Sequence, residues 1–415
     1  MQCGNKRVLI LGYGASGKAC ADFLKGRNAS VDVYDDYAGY AEYDEGKDYD
    51  FAVVSPSFSV AHRVVRLLGK RGIPILSEPD LAYAHCLSRD VVAVSGTNGK
   101  TSVCTILADM LSRVRKTHLV GNIGVPFVSE LGNIAAGDAV VVEISSFQLE
   151  QSRIFRAKVA GLTTVGEDHL DRHGSAERYK RIKLSLFDKC EIGVRNADDP
   201  AQKDAAARYS YSASGRKADF HIRGRRVEGP FGGVDLPAAS RGKAFDANYL
   251  CAYSLACLLC GKSEPFFAET YSEVSLPHFR NEYVGELAGA KVYNDSKGTN
   301  IDATLFALSL FERGVAVILG GSDKGEDYGR LMSRLDDRVV RAYLVGANAA
   351  DMYRAALPSV QAKCVLAADL ESCVRDFVRH PAEVLLFSPA SASFDLYSGY
   401  NERGECFNAI VDKYR

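Results

Sequence analysis

The chain has 415 residues, with 51 Lys and Arg against 52 Asp and Glu and a formal net charge of −1. That balance creates no field to draw nucleic acid or an anionic membrane surface, and the length allows about two to four domains. Eleven cysteines, odd in number and scattered through apolar runs, fit buried thiols in a reducing cytosol better than a disulfide framework.

The first apolar run, at 8–12, is too short for a signal-peptide core or a membrane span, and no later run reaches spanning length. A soluble, cytoplasmic protein is expected. Strands are expected at 8–11, 31–34, 51–55 and 73–76, forming a first small domain over 1–87. Gly12-Tyr13-Gly14-Ala15-Ser16-Gly17 follows the first of them, and Asp35 and Asp36 end the second. This G-x-G-x-x-G pattern reports a diphosphate at a helix N-terminus, whether from NAD(P) or from a UDP-sugar.

A second domain is expected over 88–276. Its opening strand, 91–94, runs into Gly96-Thr97-Asn98-Gly99-Lys100-Thr101-Ser102 and then a helix at 103–111. Backbone N–H groups in such a turn cradle phosphate oxygens, a lysine adds charge, and a hydroxyl reaches Mg2+. Val94 stands where the general phosphate-loop pattern needs its first glycine, so an ordinary strand-to-helix turn remains the alternative. The strand 139–144 carries Glu143 near its end, a Walker-B-like arrangement that can face the same Mg2+. A further strand is expected at 159–164.

Gly166-Glu167-Asp168-His169-Leu170-Asp171-Arg172-His173 concentrates carboxylates and imidazoles, and an i, i+4 helical pairing of His169 with His173 beside Asp168 suggests a metal site. The alternative is a solvated polar loop. Tyr179-Lys180-Arg181-Ile182-Lys183-Leu184 fits an amphipathic helix whose lysines would ordinarily be surface charges. Residues 196–243 look like a β-rich insertion or a cover for the central sheet, and a helix follows at 246–260. Within it Cys257 and Cys260 form a C-x-x-C without a second ligand pair, which favours helix core over zinc.

From 277 a third α/β domain is expected to the end at 415, with strands at 291–293, 315–319, 342–345 and 383–387. Three polar loops follow strands here: Asn294-Asp295-Ser296-Lys297-Gly298-Thr299-Asn300, Gly320-Gly321-Ser322-Asp323-Lys324-Gly325 and Ser388-Pro389-Ala390-Ser391-Ala392-Ser393. Together they imply a ligand edge.

The 96–101 loop, the strings Glu143-Ile144-Ser145-Ser146-Phe147-Gln148-Leu149-Glu150 and Ser388 to Asp395, and Asn294 to Asn300 occur in an order that resembles the Mur ligase family over essentially the whole chain. The match is to the branch that adds D-glutamate to UDP-N-acetylmuramoyl-L-alanine. The resemblance implies a three-domain α/β ligase: an N-terminal Rossmann-like domain for the UDP-substrate, a central P-loop ATPase-like parallel sheet, and a C-terminal Rossmann-like domain for the amino acid.

By similarity, Ala15, Ser16 and Asp35 contact the uridine end, Asn122 the diphosphate, and Ser145 and Gln148 belong with the UDP-substrate. Gly96, Thr97, Asn98, Gly99, Lys100, Thr101 and Ser102 hold ATP, joined by Asn248, Arg280 and Asp295. Two Mg2+ sites are implied: Thr101 with Glu143, and His169 with Lys183, the latter carbamylated. Lys100, Glu143, His169 and Lys183 then carry the catalysis. Thr299, Lys324, Ser393, Phe394 and Tyr400 receive D-glutamate.

A monomer is expected, with no nucleic-acid or membrane partner. The sequence departs from the family at Ser57, usually glycine, and at Cys251, where many relatives have a second asparagine. Residues 277–280 also carry one residue more than the usual proline-histidine-arginine. The rival readings are a ligase of the same superfamily with another amino acid, including a folate-extending one, and, remotely, an NAD(P)-binding module.

Overall fold

A computed structural model describes residues 2–36, 44, 46–237, 243–323, 327–335 and 337–415. They form two compact units, Met1–Ser275 and Leu276–Arg415. The first unit contains two sheets. In the smaller, β1 (Arg7–Leu11), β2 (Ser30–Tyr34), β3 (Phe51–Val54) and β4 (Ile75–Ser77) lie in the order β2-β1-β3-β4, all parallel. Its helices are α1 (Ala15–Lys25), α2 (Arg63–Lys70) and α3 (Glu78–His85). A Cβ on Gly17 would lie 1.8 Å from the Gly12 carbonyl oxygen, so α1 can start this close to β1 only with glycine there.

The larger sheet has nine strands: β5 (Val91–Ser95), β6 (Thr117–Gly121), β7 (Ala139–Glu143), β8 (Ala157–Leu162), β9 (Cys190–Asn196), β10 (Tyr209–Ser212), β11 (Phe220–Arg223), β12 (Arg226–Gly229) and β13 (Gly232–Asp235). Their order is β13-β12-β11-β10-β9-β8-β5-β7-β6. Pairing is parallel from β6 to β11, and the last two pairs are antiparallel. The expected β-rich character is present over 196–237, but these residues belong to the sheet and do not cover it. They lengthen its edge, β10 and β11 continuing the parallel ladder and β12 and β13 closing it as a hairpin.

The helices of this part are α4 (Lys100–Ser112), α5 (Ser146–Gln151), α6 (Leu170–His173), α7 (Ala176–Leu184), α8 (Lys243–Cys260) and α9 (Phe267–Glu273). Every residue of β5 and β7 is buried, which explains their continuous rather than alternating apolar pattern. One hydrophobic cluster runs from Val8, Ile10 and Val53 through Leu81 to Val91, Ala93 and Val142, joining the two sheets. Each Val, Leu or Ile side chain among them contributes about 1.5–3 kcal/mol on burial.

Asp80 adds a polar fastening. It completes the capping box of α3 with Ser77 and accepts the backbone N–H groups of Arg153, Ile154 and Phe155, at 2.9, 2.9 and 2.8 Å. A fully buried carboxylate needs that many donors to be tolerated.

In the second unit β14 (Glu282–Leu287), β15 (Ala290–Asn294), β16 (Val315–Leu319), β17 (Val339–Leu344), β18 (Cys364–Leu366) and β19 (Val384–Phe387) follow the order β14-β15-β19-β16-β17-β18. All pairs are parallel except β14 with β15. Helices α10 (Ile301–Ser309), α11 (Tyr328–Met332), α12 (Ala349–Ala355), α13 (Pro358–Gln361), α14 (Leu370–Arg379) and α15 (Tyr400–Tyr414) complete it. Because β19 is inserted between β15 and β16, the three polar loops after these strands meet at one sheet edge, where open α/β sheets bind ligands.

Of the observed strands, β6, β9, β14 and β18 were not expected from the sequence. Two are short or half-exposed edges with little apolar signal. No disulfide forms among the described residues, and Cys257 is buried in α8 as helix core. No helix among the described residues is long and apolar enough to cross a membrane.

Candidate active site

The loop between β5 and α4 is shaped by close backbone approaches. Gly96 has φ +140°, and a Cβ there would fall 1.9 Å from Thr163 Oγ1, so only glycine fits. Gly99, at φ +85°, packs against the Asn248 side chain, whose Oδ1 would lie 2.6 Å from an added Cβ. The Asn248 side chain, carried by α8, thereby reaches the loop. Thr97 N donates to Thr164 O at 2.5 Å, and Thr97 Oγ1 accepts the Gly166 N–H and shares a hydrogen with Tyr179 OH, both at 3.0 Å. Lys100 arches back over its own loop, donating to Gly96 O at 3.0 Å and Thr97 O at 2.8 Å. Its ammonium lies beside the N-terminus of α4, a combination that suits an anion at the mouth of the loop. Asn98 lies in this turn, and Ser102 is buried in the first turn of α4.

Thr101 and Glu143 meet beside it. Thr101 Oγ1 donates to Glu143 Oε2 at 2.7 Å, and Asn122 Nδ2 donates to Glu143 Oε1 at 3.0 Å. Glu143 is 2% exposed. Asn122, expected at the diphosphate, thus lies against the expected metal carboxylate. Its loop is steadied by Glu78, whose Oε1 accepts the Val128 N–H at 2.7 Å while Oε2 is buried without a partner. Burial is the main cause that pushes the Glu78 carboxyl up to about 7, opposed by the N–H groups of Val128 and Phe127.

Lys183 departs most from the surface position that its helix pattern suggests. It is 2% exposed and donates to Ser95 Oγ at 3.2 Å. Burial holds its ammonium well below the ordinary lysine range, reinforced by the Lys100 charge and opposed by Asp168 and Glu143. His169 lies half-open, with Nε2 3.6 Å from Asp168 Oδ2 and its ring 4.8 Å from that of Phe147.

The expected i, i+4 pairing with His173 does not form. His169 precedes the short α6 in the left-handed region, and His173 turns inward to Ser146 Oγ at 3.0 Å. Among the described residues no group of three or more His, Cys, Asp or Glu is poised for a metal ion. The donors present are nonetheless compatible with a hard cation: a hydroxyl and a carboxylate that already meet at Thr101 and Glu143.

At the smaller sheet, Ala15 and Ser16 open α1 after Gly14, and Asp35 Oδ2 accepts the Tyr13 N–H at 2.6 Å. Asp35 therefore shapes the glycine turn. Ser145 and Gln148 form the capping box of α5, a structural duty the sequence strings did not reveal.

Arg172 joins the sheets. It donates to the carbonyls of Ser57 at 2.9 Å and Pro56 at 3.3 Å, and to that of Phe58, while lying 4.7 Å over the Phe147 ring. Gln151 Nε2 donates to the same Phe58 carbonyl at 2.6 Å. Arg172 and Tyr179 were missed as site residues. The signal for Tyr179 was its place one turn before Lys183 on the same helix face.

In the second unit, Asp295 lies beside Arg280. Asp295 Oδ1 accepts the Asn281 N–H at 3.0 Å, and its Oδ2 accepts from Ser388 Oγ at 2.7 Å. Burial raises its carboxyl to about 7 against these bonds and the charges of Arg280 and Arg403. Thr299 sits in the loop after β15, half-buried, and Asn300 caps α10. Ser393 is buried, Phe394 is 76% exposed, and Tyr400 opens α15 with the Lys297 ammonium 4.2 Å from its ring centroid. Lys324 lies outside the described residues.

Comparison with known proteins gives the family. Residues 94–249 match the Mur ligase middle domain and residues 279–390 the Mur ligase, glutamate ligase domain. The chain is 30% identical to the UDP-N-acetylmuramoylalanine--D-glutamate ligase of Caldicellulosiruptor saccharolyticus over 100% of both chains. It is 33% identical to that of Geotalea uraniireducens over 99% of this chain and 98% of the relative. Among solved structures, MurF ligase from Thermotoga maritima in complex with ADP shares the fold at a TM-score of 0.63 and 17% identity, over 99% of this chain and 96% of that one. UDP-N-acetylmuramate-alanine ligase MurC from the same organism does so at 0.60 and 15%, over 99% and 100%.

Proposed function

The chain belongs to the Mur ligase family, and from that premise we propose that it joins the carboxylate of UDP-N-acetylmuramoyl-L-alanine to the amine of D-glutamate in peptidoglycan precursor synthesis, splitting ATP to ADP and phosphate. The observation that carries the chemistry is the convergence of Lys100, Thr101, Asn122, Glu143 and the buried Lys183 on one phosphate loop, in a chain similar from end to end to D-glutamate ligases.

A carboxylate is a poor electrophile. Transfer of the γ-phosphoryl group to its oxygen gives an acyl phosphate with ADP as leaving group. The D-glutamate amine then adds to the acyl carbon, loses a proton, and the tetrahedral intermediate expels phosphate. Bound Mg2+ would offset the repulsion between the carboxylate and the phosphates. Thr101 and Glu143 would hold one ion, and His169 with carbamylated Lys183 the other.

The chain's own part is preorganisation. Lys100 and the first N–H groups of α4 present positive charge where the phosphates lie. Tyr179 holds Thr97, and so the loop's curve, in place. Burial keeps the Lys183 amine available in the neutral form that carbamylation requires. In this reading Asn248, Arg280 and Asp295 serve ATP, and Thr299, Lys324, Ser393, Phe394 and Tyr400 serve D-glutamate. The division into domains at 1–87, 88–276 and 277–415 gives the UDP-substrate, ATP and D-glutamate one principal domain each. A cytoplasmic monomer is the expected working form.

Phosphate release with UDP-N-acetylmuramoyl-L-alanine, ATP, Mg2+ and a panel of D- and L-amino acids tests this. Dependence on D-glutamate alone supports it. Preference for another amino acid moves the chain to a different branch, and NAD(P) binding without UDP-sugar binding overturns it.

A further inference from the structure

Arg403, in the first turn of α15, is 3% exposed. Its guanidinium donates through Nη2 to Ser296 O at 2.8 Å, through Nε to Ser296 Oγ at 3.1 Å, and through Nη1 to Ala392 O at 3.0 Å. Ser296 Oγ in turn donates to Tyr400 O at 2.8 Å, and Ala392 O also accepts the Ser322 N–H at 2.9 Å. One side chain thus ties the loop after β15 to the loop after β19, and the loop after β16 joins them through the backbone bond to Ala392 O.

Burying an arginine is costly. Among the described residues no carboxylate lies within ion-pair distance of this one, and burial pulls its pKa down to about 10, opposed by Asp395, Tyr397 and Asp295. A core-filling role alone would be served better by an apolar side chain. What the guanidinium provides instead is a fixed fork of donors. Because a trans peptide points its C=O and the next N–H in opposite directions, drawing Ala392 O onto Arg403 turns the Ser393 N–H away from it. No acceptor takes that N–H among the described residues.

We infer that Arg403 is a positioning residue, which aims the Ser393 N–H at a carboxylate of the incoming amino acid by holding the loop after β19 to the loop after β15. The inference rests on the proposed D-glutamate reaction. It concerns the orientation of the peptide between Ala392 and Ser393, not contact between Arg403 and substrate.

The test is steady-state kinetics of the full chain as wild type, Arg403→Lys and Arg403→Ala, with thermal melting of each. Arg403→Ala is expected to raise KM for D-glutamate at least about tenfold while KM for ATP and for the UDP-substrate stays within about twofold, because charge-assisted bonds to two loops are lost. Arg403→Lys, which keeps charge but not the fork, should fall between. Millimolar guanidinium chloride should lower the D-glutamate KM of Arg403→Ala and leave wild type unchanged.

An unchanged D-glutamate KM overturns the inference. So does an equal loss against all three substrates that follows the melting temperature and resists guanidinium. If Arg403→Ala does not fold, Arg403→Lys decides by the same KM pattern. A wild type inactive with D-glutamate overturns the proposed reaction instead, and the comparison is then made with whichever amino acid supports turnover. If none does, the inference falls with the reaction.

Discussion

Thr101 and Glu143, 42 residues apart in sequence, are joined by a 2.7 Å hydrogen bond from hydroxyl to carboxylate. The bond places the start of α4 against the end of β7, in the gap where two neighbouring parallel strands release their loops. A divalent cation that displaces the hydroxyl proton contact would find both oxygens already facing each other.

Glu143→Gln keeps the shape and removes the charge. We expect turnover to fall by at least about 10²-fold, with Mg2+ required at higher concentration and the fold unchanged by circular dichroism. A variant that turns over normally at low Mg2+ would remove Glu143 from the metal site.

Lys183→Ala should be inactive. Since the missing group is carboxylate-like, a short carboxylic acid added to the assay should restore part of the activity. Intact mass of active wild-type protein should show the carbamate, and an unmodified lysine in a fully active preparation would refute its role.

Lys100→Ala should lower the rate of ADP formation by about 10²-fold or more and leave UDP-substrate binding, followed by titration calorimetry, within experimental error of wild type. Loss of UDP-substrate binding would show that the lysine's tie to its loop is a fold requirement.

Glu78 gives a pH prediction. Its carboxyl is raised from 4.5 to about 7 in the folded chain, so the folded state holds its proton more tightly than the unfolded one. The associated stability is fully present below about pH 4.5 and is lost as pH rises through 7, on the order of 3 kcal/mol. Glu78→Gln, neutral at every pH and still able to accept the Val128 N–H, should melt like wild type at pH 5 and higher than wild type at pH 8. Identical melting at pH 8 would mean that the carboxylate is solvated there.

Much of this was legible because parallel strands buried on both faces write themselves as unbroken apolar runs, as at Val315–Leu319 and Val91–Ser95. The phosphate loop and the three loops of the second unit were legible because glycine, hydroxyl and lysine follow those runs directly. Lys183 was not, since an amphipathic helix shows which residues are polar and not which of them a tertiary fold has drawn inward. Ser145 and Gln148 were legible as a string, but their capping box shows only when the helix start is known. The role of His173 was hidden because its i, i+4 spacing presumes a helix that already includes His169, whereas the chain there bends through the left-handed region. Edge strands such as β14 carry too little buried surface to stand out.

The clamp at Arg172 grips main-chain carbonyls of Pro56, Ser57 and Phe58, and every residue has a carbonyl. Side chains along that loop are therefore at liberty to drift over evolutionary time without loosening the joint, provided the path of the chain is kept. Ser57, where the resemblance leads one to expect glycine, offers its carbonyl to Arg172 as any residue would. Transplanting the first 87 residues from a distant relative is then limited at this loop by length and contour, whereas the carboxylates of Glu78 and Asp80 must come with the graft.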